Sequence, residues 1–131
     1  MDSPSWPGIL RLAAENIYEE VSKARLRGVG LENRDYKHLL DDAAQRALVD
    51  TLQGQGVSAQ LISEEGNAVI GGSGPVIIAD PVDGTTNLAR GLRPAVTCLS
   101  VSETGSLSGT IAAVVKDLYT GETYAAERGK G

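Results

Sequence analysis

The hydrophobic period of this chain changes near Val57, and the change decides which architectures are open to it. Up to that point apolar residues recur every three or four positions: Trp6, Ile9, Leu10, Ala13, Ile17, Val21 and Ala24, then Leu40, Ala44, Ala47, Leu48 and Leu52. Such spacing places one apolar stripe along one side of a helix. Beyond it the apolar residues come in short runs punctuated by Gly, Pro, Asn and Ser, which is how strands and turns are written. The layout is therefore α+β, a helix pair packed on a mostly antiparallel sheet.

Local signals set the expected boundaries. Ser5 or Ser3, ahead of Trp6-Pro7, opens the first helix, which ends near Gly28. The segment from Gly28 to Tyr36 has no periodicity and reads as a loop. The second helix runs from about Leu39 to Leu52, with Asp41 and Asp42 in its first turn and Gly54 as its stop. Val57 to Ser63 forms a short strand ending in Glu64-Glu65, and a loop through Gly71, Gly72 and Gly74 leads to Pro75. The unbroken run Val76-Ile77-Ile78-Ala79 predicts a central strand buried on both faces. A helical stretch after Asp80 to Asn87 breaks around Gly91 and Pro94. Ala95 to Ser102 and Leu107 to Lys116 flank Glu103-Thr104-Gly105-Ser106 as a hairpin, and Thr120-Gly121 closes a second one returning through Glu122 to Ala126.

Length and charge narrow the function. At 131 residues the chain is one domain or part of one. With 41% hydrophobic and 22% charged residues, neither a disordered chain nor a membrane span fits. Phe is absent, so the core is built from Val, Ile, Leu and Ala. Seventeen acidic against twelve basic residues give a net charge of -5, and no basic stripe is visible, so nucleic acid and anionic membranes are not the expected partners. The single Cys98 excludes an intramolecular disulfide and a cysteine zinc site; it is expected to pack, in a reducing cytoplasm. Asp2, with no basic segment leading into an apolar one, does not open a signal peptide. Arg128-Gly129-Lys130-Gly131 contains nothing that closes a fold, and the expectation is that the remainder lies elsewhere.

The chemistry is concentrated in Asp80-Pro81-Val82-Asp83-Gly84-Thr85-Thr86-Asn87, at the C-terminal end of the apolar strand. Two carboxylates this close repel, and a hard divalent cation held by oxygen ligands is the simplest stabiliser, Mg²⁺ where phosphate shares its coordination. Pro81 stiffens the turn and leaves the Val82 carbonyl free as a further oxygen. Asp83 is expected to cap a helix, turning the amides of Gly84, Thr85 and Thr86 outward to cradle a phosphate. Glu64-Glu65, sixteen and fifteen residues before Asp80, follow another strand. Adjacent strands, parallel or antiparallel, would bring Glu64, Asp80 and Asp83 to one point.

Ser63-Glu64-Glu65-Gly66 followed by Val76-Ile77-Ile78-Ala79 and the octapeptide from Asp80 resembles the inositol monophosphatase superfamily, which includes archaeal-type fructose-1,6-bisphosphatases and nucleotide bisphosphate phosphatases. The resemblance runs from about the first helix to Gly131. It implies the N-terminal metal- and phosphate-binding part of a sugar phosphatase fold layered α-β-α-β-α, its C-terminal half absent from this chain. The implied activity is hydrolysis of a small phosphorylated sugar or polyol, inositol monophosphate or fructose 1,6-bisphosphate, dependent on two or three Mg²⁺ and inhibited by Li⁺. Matching motif to motif, Glu64, Asp80 and the Val82 carbonyl would hold one metal, with Asp80 and Asp83 holding a second. Thr85, hydrogen-bonded to Asp41, would with Glu64 orient and deprotonate the attacking water. Asp83, Gly84, Thr85 and Thr86 would bind the phosphate.

Three departures accompany the match. The family usually has Thr three residues before the helix Asp, where this chain has His38. The family's mobile basic loop falls on Gly28 to Tyr36, whose composition differs. No later WDxAA-like segment supplies a further Asp to the second metal. The haloacid dehalogenase signature also ends in Asp-Gly-Thr, but Val82 stands where its nucleophilic Asp belongs. The alternatives carried forward are a fragment that binds metal and sugar phosphate without turnover, and a 3'-phosphoadenosine phosphate-type nucleotidase. Two helices cover only one sheet face, so the other face or the edge strand is expected to lie under the C-terminal half or a second subunit, and the intact enzyme is expected to be a homodimer.

Overall fold

The computed structural model describes residues 5–130. Asp2 and Ser3 lie outside the described residues, as does Gly131. Helix α1 spans Trp6–Arg27 and α2 spans Asn33–Gly54. Strand β1 (Ala59–Ser63) follows, then β2 (Ala68–Ile70), β3 (Val76–Asp83), a one-turn helix α3 (Thr85–Ala89), and strands β4 (Val96–Ser102), β5 (Thr110–Asp117) and β6 (Thr123–Glu127). The strands form one sheet in the order β2-β1-β3-β4-β5-β6, antiparallel throughout except for the β1/β3 pair.

α1 buries all seven residues of its expected stripe. Ser5 occupies the N-cap position but makes no side-chain cap bond. α2 starts six residues earlier than the expected Leu39, and the presumed loop shrinks to a turn. Its first turn, Asn33 to Tyr36, is polar and mostly exposed, so it leaves no apolar period to read. Contact fixes it instead: Tyr36 lies over Gly28, where a Cβ would stand 2.5 Å from the ring, and its hydroxyl donates to the Arg25 carbonyl at 2.9 Å. Asp41 and Asp42 consequently sit in the third turn of α2, and Asp35 is the acidic residue of the first.

β1 begins at Ala59 rather than Val57, and β2 is an edge strand within the stretch expected to be loop. The hairpins β4–β5 and β5–β6 form where the Glu103–Ser106 and Thr120-Gly121 turns predict them, with a single 3-10 turn at Leu107–Gly109 before β5. β3 differs from expectation: Ile77 is fully buried while Ile78 is 41% exposed. Strand side chains alternate between faces, and α1 and α2 cover only the face bearing Leu61, Ile77, Leu99, Val101 and Val114. On the other face Ile62, Ile78 and Val115 remain exposed, so among the described residues the molecule has two layers and one open sheet face.

Candidate active site

The acidic residues converge at the C-terminal ends of the two parallel strands. In the β1/β3 register Ser63 pairs with Ala79, and the next residues along, Glu64 and Asp80, lie side by side, with the Glu64 amide donating to the Ala79 carbonyl at 3.2 Å. The turn carrying Glu64 and Glu65 is tied to α2. The Ser63 hydroxyl accepts from the Glu65 amide at 3.2 Å and bonds the Gln45 side chain at 2.7 Å, while Gln45 Nε2 donates to the Gly66 carbonyl at 2.9 Å.

Residues three apart on a regular strand face opposite ways. A register shift between Asp80 and Asp83 breaks that alternation and lets both act on one region. The expected helix geometry is corrected here. The strand continues through Asp83, and the residue at the N-cap of α3 is Gly84, at φ 96 with no side-chain cap bond. An added Cβ at Gly84 would stand 2.6 Å from the Pro94 carbonyl oxygen, so glycine is demanded by conformation and by space together. Asp83 is therefore left exposed rather than consumed as a cap. A helix of five residues has little macrodipole, so the phosphate cradle expected from helix amides loses that support.

Across from this turn α2 delivers Asp41. Thr85 Oγ1 donates to Asp41 Oδ1 at 2.8 Å, with the Val82 carbonyl a longer alternative at 3.2 Å. Burial raises the Asp41 carboxyl above its ordinary value; the Thr85 hydrogen bond and then the His38 and Lys37 charges oppose the rise. Asp80 is raised by burial first, then by the like charges of Asp83, Glu64 and Asp41. Glu65 is raised by burial and by Asp41, Asp80 and Glu64. It belongs to the same charge cluster, although motif matching selects only Glu64; the adjacent acidic pair was the available signal.

The set suits a hard cation. Every donor is an oxygen, and among the described residues none of Asp41, Glu64, Glu65, Asp80 or Asp83 forms an ion pair with a basic side chain. Repulsion within the cluster is thus relieved by no direct ion pair from the chain itself. The expected convergence of Glu64, Asp80 and Asp83 is looser than a closed cage: among the described residues no three His, Cys, Asp or Glu side chains are grouped closely enough to hold an ion by themselves. Asp83, beyond the bulge, is exposed, and its charge still acts on Asp80.

Glu64 and Asp80 also line a depression of about 280 Å³ on the open sheet face, together with Ile78, Cys98 and Val115. Cys98 pairs with Asp80 across β3 and β4, and burial, with the charges of Asp83 and Asp80, pushes its thiol up. It is neither fully packed, as expected, nor an activated nucleophile. A larger groove of about 550 Å³ runs between α1 and α2, where Asp42 and Arg46 pair at 2.9 Å. It contains none of the clustered carboxylates, and the chemistry lies at the strand ends.

Residues 8–131 match the family model described as the inositol monophosphatase family. The chain belongs to that family. It is 29% identical over 125 residues to the Nus factor SuhB of Pseudomonas aeruginosa, covering 92% of this chain and 45% of that protein. It is 34% identical over 98 residues to an inositol-1-monophosphatase of Rhizobium meliloti, covering 74% and 36%. Its fold superimposes on a crystal structure of inositol monophosphatase II from Staphylococcus aureus with a TM-score of 0.80 at 21% identity, over 98% of this chain and 48% of that one. The chain thus spans less than half the length of the curated relatives it matches. No described helix is long and apolar enough to cross a membrane.

Proposed function

We propose that these residues are the N-terminal metal- and phosphate-binding part of a magnesium-dependent phosphatase. Its substrate is a small phosphomonoester, with inositol monophosphate and fructose 1,6-bisphosphate the preferred candidates. The observation that carries the reading is the Thr85–Asp41 hydrogen bond beside the Asp80 cluster. A hydroxyl whose proton is directed at a carboxylate keeps its oxygen lone pairs free to accept a proton from water. An Asp41 carboxyl raised by burial is a better proton acceptor than an exposed one.

Glu64, Asp80 and the Val82 carbonyl would hold one Mg²⁺, with Asp80 and Asp83 holding a second. Bound there, magnesium neutralises the phosphoryl oxygens and acidifies water. With the Thr85 proton engaged by Asp41, the Val82 carbonyl is left for the cation. Glu64 and Thr85 orient the attacking water between them, and its proton passes to Glu64 or through Thr85 to Asp41. Gly84, Thr85 and Thr86 contact the phosphate. The C-terminal half supplies the remaining ligand and the groups that read the leaving alcohol, and it covers the open face of the sheet. The whole protein is proposed to be a cytoplasmic homodimer.

Phosphate release from both substrates, measured on the whole protein with magnesium and again in excess EDTA, tests this reading. Turnover surviving EDTA, or a trapped phosphoryl group on Asp80 or Asp83, would defeat it. The looseness of the carboxylate group and the share of the relatives it spans favour a second reading, a chain that binds metal and phosphate without turnover. Binding of both with no phosphate released would select it.

A further inference from the structure

We infer that Lys37 is an anion-positioning residue of this site. Its ammonium, delivered by α2 and held against Thr86, binds a phosphoryl oxygen of the bound phosphomonoester, an inference that rests on the phosphatase reading above.

The early start of α2 makes this possible. Because the helix begins at Asn33, Lys37 and His38 stand four and three residues before Asp41 on the same helix face. From there Lys37 Nζ donates to Thr86 Oγ1 at 3.4 Å, linking positions 49 residues apart. An ammonium has three donors. Among the described residues Thr86 is its one side-chain hydrogen-bond partner, and it forms no ion pair within 4.0 Å.

A cation therefore sits at the rim of a carboxylate cluster and neutralises none of its members by contact. The local alternative would be an ion pair with Asp41 one turn on, but a basic residue N-terminal to the acidic one is the weaker order on a helix. The side chain reaches across to α3 instead. Its contact, Thr86, adjoins the hydroxyl already committed to Asp41, so the free donors lie where a phosphate held at Gly84 to Thr86 would present oxygen. A flexible stem ending in a point charge suits that task. Lys37 stands one turn before Asp41 on α2, near enough for its charge to act on that carboxylate.

The test is titration of the full chain with inorganic phosphate at saturating Mg²⁺, followed by the amide resonances of Gly84 to Thr86, for wild type, Lys37→Met and Lys37→Arg. Lys37→Met is expected to weaken phosphate binding about tenfold, the scale of one charge-assisted hydrogen bond. Lys37→Arg is expected to restore most of it, and Mg²⁺ affinity without phosphate should hold or tighten in both. Phosphate bound equally well by wild type and Lys37→Met overturns the inference and leaves the phosphatase reading standing. A parallel loss of Mg²⁺ and phosphate binding also overturns it, because that marks structural damage. A wild-type chain that binds neither ligand overturns the phosphatase reading and the inference with it.

Discussion

Thr85 and Asp41, 44 residues apart, are joined by a hydroxyl-to-carboxylate hydrogen bond of 2.8 Å that ties the second helix to the end of the central strand. Removing the hydroxyl leaves a partly buried carboxylate without its partner. Thr85→Val should therefore destabilise the chain by about 1 kcal/mol in urea unfolding, and lower turnover of the whole protein by roughly a hundredfold or more, the usual scale for lost proton-transfer assistance. Undiminished turnover in this variant would remove the pair from the chemistry.

Magnesium should stabilise the folded chain, because a ligand bound only by the native state raises its unfolding temperature. Asp80→Asn removes a charge that repels Asp83, Glu64 and Asp41, so the metal-free variant should be at least as stable as wild type. Its response to added Mg²⁺ should vanish. Differential scanning fluorimetry with Mg²⁺ and with EDTA compares the two directly, and a variant that keeps the full Mg²⁺ shift contradicts the ligand assignment.

Lys116, only 5% exposed, ties α1 to the last hairpin. Its ammonium donates to the Gly121 carbonyl and to Thr123 Oγ1 and pairs with Glu15, each at 2.8 Å. Lys116→Met should cost about 1 to 3 kcal/mol, since it leaves polar partners unsatisfied. Glu15→Gln should cost less than about 1 kcal/mol, because that side chain is half-exposed and rehydrates. Equal losses in denaturant titrations would show that the ion pair, rather than the hairpin hydrogen bonds, carries the stability.

Asp117 is held below the ordinary carboxylate value by backbone amides at the β5–β6 turn, Thr120 first and then Tyr119, at 3.0 and 2.7 Å. A depressed folded value means that the ionised group stabilises the fold above the unfolded carboxylate pKa of about 3.9, and that this contribution is lost as pH falls through the lower folded value. Asp117→Asn should be less stable than wild type at pH 7. The gap should close as pH falls below about 4, the unfolded carboxylate value, and through the lower folded one, and acid-unfolding curves that stay parallel would contradict the assignment.

What the sequence by itself determined is whatever its periodicity and turn chemistry encode locally. The α1 stripe, the two C-terminal hairpins and the apolar run ending at Asp80 were legible because burial on one face imposes a period, and because Gly, Pro and Asn punctuate it. The motif around Asp80 and the acidic pair at Glu64 named the family and most of the cluster. Contacts between distant segments decided the rest. Tyr36 packing on Gly28 extended α2 through a polar turn that carries no period, and that extension brought Lys37 and His38 beside Asp41. Parallel pairing of β1 with β3, left open by either strand alone, set Glu64 beside Asp80. The bulge before Asp83, the Gly84 turn pressed against Pro94 and the exposure of Ile78 follow from how strands align and which face the helices cover. A one-residue slip in pairing reverses every side chain on a strand, so only the assembled sheet could settle them.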